Sequence, residues 1–335
     1  MKLSEIGEFG FIARMARPFA ADLPPNVKGI GDDCASLPWT KKERLLVTTD
    51  MLVEDRHFLR SGISARDLGY KSLAVNLSDI AAMGGRPRWA FLSLGIPAGI
   101  ELDWLDDFFR GFREAAGPAG VVLLGGDTTK SPDRLVVNVA VLGTVRSGRE
   151  KLRSAACPGD VVTVTGCLGD SGIGLGVLLN GGPRDRDEER LLRAHNRPRP
   201  HLEEGEWLAS RPGVRAMMDV SDGLDSDIRR IMEQSKVGAD VALDRLPLSP
   251  TLVRVARRRG WNPIESAAVG GEDYCLLLTV EPSRFKLLAA AFARRFGRPL
   301  TAVGTIRTRA RGLRYFSNGR TARLEGRGYD HFRIL

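Results

Sequence analysis

Short runs of strand composition alternate with amphipathic stretches along the whole of this chain, and that alternation restricts it to a mixed α and β architecture. LLVTT (45–49), WAFLSLGI (89–96), VVLLGG (121–126) and LVVNVAVLGTV (135–145) are rich in aliphatic and branched residues, and each meets a glycine, proline or aspartate stop. Between them, 67–83 sets Leu73, Leu77 and Ile80 on one helical stripe, and 103–116 carries a second amphipathic pattern. After a connection at 146–160 the pattern restarts with VVTVTG, a helix near 171–179 and a strand ending at Asp219. A helix from about 222 to 234, a strand at 274–280, a helix at 282–296 and a strand at 301–306 complete the reading. A length of 335 residues suits two domains of roughly 100 to 200 residues each. The restart near residue 150 therefore divides the chain into 1–150 and 151–335. Segment 181–200 mixes glycine, charge and proline and reads as an exposed loop around a short helix, with no recognisable chemistry.

Aspartates mark the ends of the expected strands. GIGDDC supplies Asp32 and Asp33, VTTD supplies Asp50, LLGGDTT supplies Asp127, and MMDVSDG supplies Asp219 and Asp222. Strand ends are where open sheets place ligands, although any single aspartate in a turn is as well explained by a helix cap or an Asx-turn. Gathered carboxylates repel one another unless cations neutralise them, so an aspartate-rich pocket without cysteine or histidine points to a hard, oxygen-seeking ion such as magnesium. On the helix at 67–83, Ser72, Asn76, Asp79 and Met83 share one face. That face either projects Asp79 towards the sheet edge or forms a surface polar stripe. Glycine turns at 29–31, 125–126, 169–176 and 270–271 allow backbone amides to approach phosphates. No G-x-x-x-x-G-K-[ST], H-E-x-x-H, H-R-D or G-x-S-x-G segment is present, which removes the commonest nucleotide-binding and hydrolase signatures.

The formal net charge of +9 comes mainly from arginine, with eight arginines between Arg307 and Arg333. They alternate with turn residues and read as solvated surface, so no nucleic-acid partner is expected. No apolar run is long enough for a membrane span, and Glu5 and Glu8 interrupt the only early apolar stretch, so a cytoplasmic protein without a membrane partner is expected. Cys34, Cys157, Cys167 and Cys275 are scattered singly, as reduced thiols are, not paired as structural zinc ligands are.

Taken in order, GIGDDCA, TTDMLVEDRHF, NLSDIAAMGG, GGDTT, VSDGLDSD and GGEDY resemble the thiamine-monophosphate kinase family. That family belongs to the PurM-like superfamily shared with aminoimidazole ribonucleotide synthetase and selenophosphate synthetase. The resemblance runs from about residue 5 to the final GYDHF. It implies a two-domain PurM-like α+β fold: a sheet-forming N-terminal domain that binds ATP and magnesium and pairs in a homodimer, and a C-terminal α/β sandwich domain. By the same resemblance Asp33, Thr48, Thr49, Asp50, Asp79, Asp127, Asp219 and Asp222 are magnesium ligands, while Gly126, Asp127, Arg153 and Ser221 face ATP. His57, Glu272 and Tyr329 match the positions around a thiamine monophosphate acceptor. The implied reaction is direct, magnesium-assisted transfer of a phosphoryl group from ATP to that acceptor. No side chain acts as general base, because a phosphate monoester whose second pKa is about 6 is already anionic at neutral pH. The alternative is another ATP-dependent synthetase of the same superfamily. One departure is Cys275, where the family commonly carries an acidic residue after GGEDY.

Overall fold

In the computed structural model, which describes residues 3–20, 23–182 and 184–326, the strand and helix runs assemble around two separate sheets. The first part comprises α1 (Leu3–Ala20), β1 (Ala35–Pro38), β2 (Glu43–Val53), α2 (Ala65–Ala82), β3 (Arg86–Ile96), α3 (Leu102–Ala119), β4 (Val122–Lys130) and β5 (Val136–Arg146). Its five strands lie in the order β1-β2-β5-β3-β4. The β2–β5 pair is antiparallel and unbroken from Glu43 opposite Arg146 to Val53 opposite Val136, whereas β3 and β4 are parallel. Strands β2 and β4 both run past the aspartates expected to end them, so Asp50 and Asp127 sit within strands. The ladder continues because each strand keeps a partner beyond its acidic residue.

The second part follows with β6 (Val161–Val164), α4 (Asp170–Asn180), α5 (Arg186–Asn196), α6 (Leu202–Ala209), β7 (Val214–Asp219), α7 (Leu224–Ser235) and β8 (Val237–Ala242). It ends with α8 (Pro250–Arg259), α9 (Pro263–Val269), β9 (Leu276–Val280), α10 (Pro282–Phe296), β10 (Thr301–Thr308), β11 (Leu313–Ser317) and β12 (Arg320–Ala322). Seven strands form the sheet β12-β11-β8-β10-β6-β9-β7. Segment 181–200, expected as an exposed loop around a short helix, contains the three-turn helix α5. An Asp185–Glu188 capping box opens it, and it buries Leu191 and Leu192. Tyr329 lies outside the described residues, as do Arg327 and Arg333. Among the described residues no helix is long and apolar enough to cross a membrane.

One core cluster packs α2 and α3 on the first sheet, with Leu73, Leu77, Ile80, Phe108 and Val139 at its centre. A second fills the face of the seven-stranded sheet under α7 and α9, and a third joins Ala81 and Ala82 of α2 to Leu208, Met217 and Phe292. Helix α2 is therefore enclosed on both sides, with fourteen of its eighteen residues buried. Glycine makes this enclosure possible. A Cβ on Gly69 would sit 1.8 Å from the Phe108 carbonyl oxygen, and one on Gly205 would sit 2.2 Å from that of Ala81, so α3 and α6 reach the backbone of α2 only because those side chains are absent. The stripe of Ser72, Asn76 and Asp79 thus faces the interior between the two sheets and not solvent.

Candidate active site

Polar residues carried into a packed interior need partners, and Ser72, Asn76, Ser78 and Asp79 of α2 find theirs within the helix or on the acidic segments that converge on it. Ser72 Oγ donates to the Gly69 carbonyl within α2. Asn76 Oδ1 accepts the backbone N–H of Asp50 on β2 at 3.0 Å, and Thr48 Oγ1, also on β2, donates to Asp79 Oδ2 at 2.5 Å. From the other side, Ser78 Oγ donates to Oδ2 of Asp219 at the end of β7, at 2.6 Å. Carboxylate oxygens of Asp33, Asp79 and Asp219 come within 4.8 Å of one another. These three residues are separated by up to 186 positions in the chain (219 minus 33) and come from three different segments.

Like charges this close, in a site short of water, resist ionisation. Burial first, then the charges of Asp50 and Asp219, push Asp79 well above the ordinary carboxylate range. Asp219 is pushed up by burial and by Asp33, against the opposing hydrogen bond from Ser78. Asp50 rises to about 6, through burial and then through Asp222 and Asp33. Arg153 offsets part of this charge by spanning Asp33: Nη2 donates to Oδ1 at 2.8 Å and Nε to Oδ2 at 3.3 Å, while its backbone N–H donates to Asp32 at 2.7 Å. Burial opposes the charge on Arg153, but Asp33, with Asp219 and Asp227, outweighs burial and holds the guanidinium protonated. A guanidinium expected to face ATP is therefore engaged with a carboxylate expected to hold metal. The donor set is all carboxylate oxygen, buried at Asp33 and Asp219 and half-buried at Asp79, and it fits hard divalent cations.

The other expected residues fall at different distances from this centre. Asp222 and Ser221 lie on the turn that follows β7, and Asp222 is close enough to raise Asp50. Thr49 is exposed on β2, with its hydroxyl accepting from Asn138 Nδ2 on β5. Asp127 and Gly126 lie on the edge strand β4, all nine residues of which are exposed. Three strand spacings, about 14 Å, separate β4 from β2, so the fold of the chain does not bring Asp127 beside Asp50. Gly126 is required where it stands, since a Cβ would lie 1.6 Å from the Leu92 carbonyl oxygen of β3. His57 is half-buried in the turn after β2, its Nδ1 accepting from Val53 N at 3.0 Å.

Glu272 sits in the GGEDY loop, which is clamped to the VSDG loop through Glu272 N–H to the Ser221 carbonyl at 2.7 Å and Tyr274 N–H to that of Val220 at 2.9 Å. Both Glu272 and Tyr274 adopt left-handed backbone conformations, with φ of +63° and +49°, a strain that persists only where the surroundings enforce it. Asp227 of α7 was not singled out from the sequence. It is 1% exposed, and its Oδ2 has no hydrogen-bond partner among the described residues. Burial, Asp222 and Asp219 push it well above its ordinary range. Its signal was the second acidic residue of LDSD, one helical turn beyond Gly223.

Comparison with known proteins agrees with this arrangement. Residues 31–145 match the family model described as AIR synthase related protein, N-terminal domain, and residues 157–312 match the corresponding C-terminal domain. The chain is 38% identical over 328 residues to the thiamine-monophosphate kinase of Escherichia coli (strain K12), covering 97% of this chain and 98% of that protein. It is 37% identical over 309 residues to that of Bacillus subtilis (strain 168), covering 91% and 93%. Among solved structures, AaThiL complexed with AMPPCP and TMP superposes with a TM-score of 0.86 at 33% identity, covering 99% of each chain. With near-complete coverage in sequence and in structure, the chain belongs to the thiamine-monophosphate kinase family, and its fold is the two-domain PurM-like α+β fold.

Proposed function

We propose that this protein transfers the γ-phosphoryl group of ATP to the phosphate of thiamine monophosphate, forming thiamine diphosphate. The observation that carries the reading is the convergence of Asp33, Asp79 and Asp219 within 4.8 Å on the buried side of α2. Two phosphate esters that must meet in line repel one another, and a pocket of carboxylates would worsen that repulsion if it stood alone. Asp33, Asp79 and Asp219, with Asp50, Thr48 and Asp222 around them, are the residues that would hold magnesium. When bound, magnesium neutralises the phosphate oxygens and the charge that develops on them during transfer. The chain's own contribution is orientation. Thr48 and Ser78 fix one oxygen each of Asp79 and Asp219, and Asn76 fixes the backbone of Asp50, so the acidic oxygens are aimed before any ligand arrives. Arg153 can contribute a guanidinium to a donor phosphate only by sharing it with Asp33.

The same reading divides the chain at about residue 150 and makes the protein a cytoplasmic homodimer that pairs through its first sheet. Support for the pairing lies in β4, an edge strand exposed along its length and bearing Val122, Leu124, Gly126 and Asp127. A long open edge of this kind is costly unless another chain covers it, and Asp127 would then lie at the boundary between copies. Thr49 and His57 on and after β2, Ser221 beside β7, and Glu272 complete the proposed nucleotide and acceptor surroundings.

Incubating the purified protein with ATP, magnesium and thiamine monophosphate tests the proposal, with thiamine diphosphate and ADP expected in equal amounts. ATP consumption that yields ADP and inorganic phosphate without the diphosphate would instead indicate a synthetase-type activity and refute the kinase reading.

A further inference from the structure

Behind the GGEDY loop lies a cluster that the phosphoryl-transfer reading leaves unused. Lys71 of α2 is wholly buried, its side chain 0% exposed, and its Nζ lies 2.8 Å from Glu272 Oε1. At that distance the two groups form an ion pair, yet the ammonium finds no aligned hydrogen-bond acceptor among the described residues. His195, near the end of α5 and 5% exposed, places Nδ1 3.1 Å from Glu272 Oε2 and 3.0 Å from Ser171 Oγ. Glu272 alone in the trio keeps an accessible face, 26% of its side chain. The cationic and donating groups are therefore buried, and Glu272 is the member of the trio whose side chain keeps surface on which to meet a ligand.

A buried ammonium without a counter-ion is costly enough that side chains of this kind are almost always paired. Glu272 must accordingly be ionised in the folded protein, and burial, which opposes that charge, is outweighed by Lys71 and then by His195. An ionised carboxylate only accepts, so the proton of the His195 ring belongs on Nδ1, with Ser171 Oγ as a second acceptor. Burial and the nearby Lys71 keep that ring neutral. The backbone of Glu272 is pinned as well, through its N–H on the Ser221 carbonyl and its left-handed φ. Lys71 and Asp79 lie eight residues apart on one helix, about 12 Å along its axis. A single rigid element thus holds both the acidic centre and the support for Glu272.

We infer that Lys71 and His195 are positioning residues that hold Glu272 as an oriented acceptor carboxylate, and so set the protein's preference for a phosphoryl acceptor presenting an N–H donor or a positively charged ring. This rests on the reading above that Glu272 faces the acceptor. It also gives α5 a task in a segment whose residues suggested none.

The test compares Glu272→Gln, Lys71→Met, His195→Ala and His195→Asn, measuring KM for thiamine monophosphate, KM for ATP and kcat, with a thermal melt of each variant. Glu272→Gln and Lys71→Met are each expected to raise the acceptor KM at least tenfold while the ATP KM stays within twofold. The double variant should be no worse than Glu272→Gln, because both substitutions remove the same interaction. His195→Ala should raise the acceptor KM about fivefold, and His195→Asn, which returns an N–H donor near the place of Nδ1, should restore it to within twofold. If Glu272→Gln impairs the acceptor KM while Lys71→Met and His195→Ala do not, the positioning role is refuted and the acceptor-facing role of Glu272 stands. If Glu272→Gln leaves the acceptor KM unchanged, that underlying reading fails and the inference falls with it. Should Lys71→Met not fold, the contrast between His195→Ala and His195→Asn decides: equal losses in both overturn the inference.

Discussion

Replacing Asp79 by Asn should stabilise the metal-free protein while abolishing phosphoryl transfer. The oxygens of Asp33, Asp79 and Asp219 lie within 4.8 Å of one another, and two unit charges at that separation repel by about 3 kcal/mol at an effective dielectric near 20. Asn keeps an oxygen to accept from Thr48 Oγ1, and its amide can donate to the remaining carboxylates, so no polar group is orphaned. Asp79 is pushed above its ordinary value of 3.8, so the folded chain binds that proton more tightly than the unfolded chain. The associated stability is complete below the unfolded value and is lost as pH rises through the folded one. The advantage of the variant is therefore largest at high pH. Allowing for partial protonation of the wild-type cluster, we expect a gain of about 2 kcal/mol at pH 8, or about 3 °C in Tm for a chain of this size. Melting both proteins in a chelator and then in millimolar magnesium checks this. Magnesium should raise the wild-type Tm and close or invert the gap, because the variant has lost a ligand. A variant that melts below wild type in chelator, or that magnesium stabilises equally, would refute the picture of a repulsive cluster awaiting cations.

Asp50→Asn and Asp127→Asn should each abolish diphosphate formation, with circular dichroism and melting behaviour preserved; near-normal turnover in either would exclude that residue from the metal or nucleotide surroundings. Replacing Asn76 by Leu leaves the half-buried N–H of Asp50 without its acceptor and should cost about 1 kcal/mol of stability or more, read from chemical denaturation. Gly126→Ala places a methyl against the Leu92 carbonyl. It should force β4 from β3 and lower stability by about 3 kcal/mol or more, and a native Tm would show that the edge strand tolerates displacement.

Much of this protein was legible in its residues. The runs at 89–96, 135–145, 282–296 and 301–306 became β3, β5, α10 and β10 with shifts of only a few residues, because periodicity and glycine or proline punctuation act locally. The order of the acidic motifs along the chain sufficed to indicate the family, since a sequence of short motifs survives independently of the coordinates. What the residues could not convey was which way the polar face of α2 points. Ser72, Asn76 and Asp79 have the same helical spacing whether they meet solvent or the interior, and close approach by α3 and α6 at Gly69 and Gly205 decides for the interior.

Lys71, Ser78 and His195 illustrate the same limit. In sequence each is an ordinary surface-type residue, and His195 lies in a stretch that reads as an exposed loop around a short helix. Each gains its role from a partner more than 75 positions away: Lys71 and His195 from Glu272, and Ser78 from Asp219. The sequence alone determined the elements, the family and the oxygen-rich chemistry, because those depend on local pattern and residue type. Only the tertiary structure decided that Asp33, Asp79 and Asp219 form one centre while Asp127 stands about 14 Å across the sheet, because strand order and helix packing are set by long-range burial that no local spacing encodes.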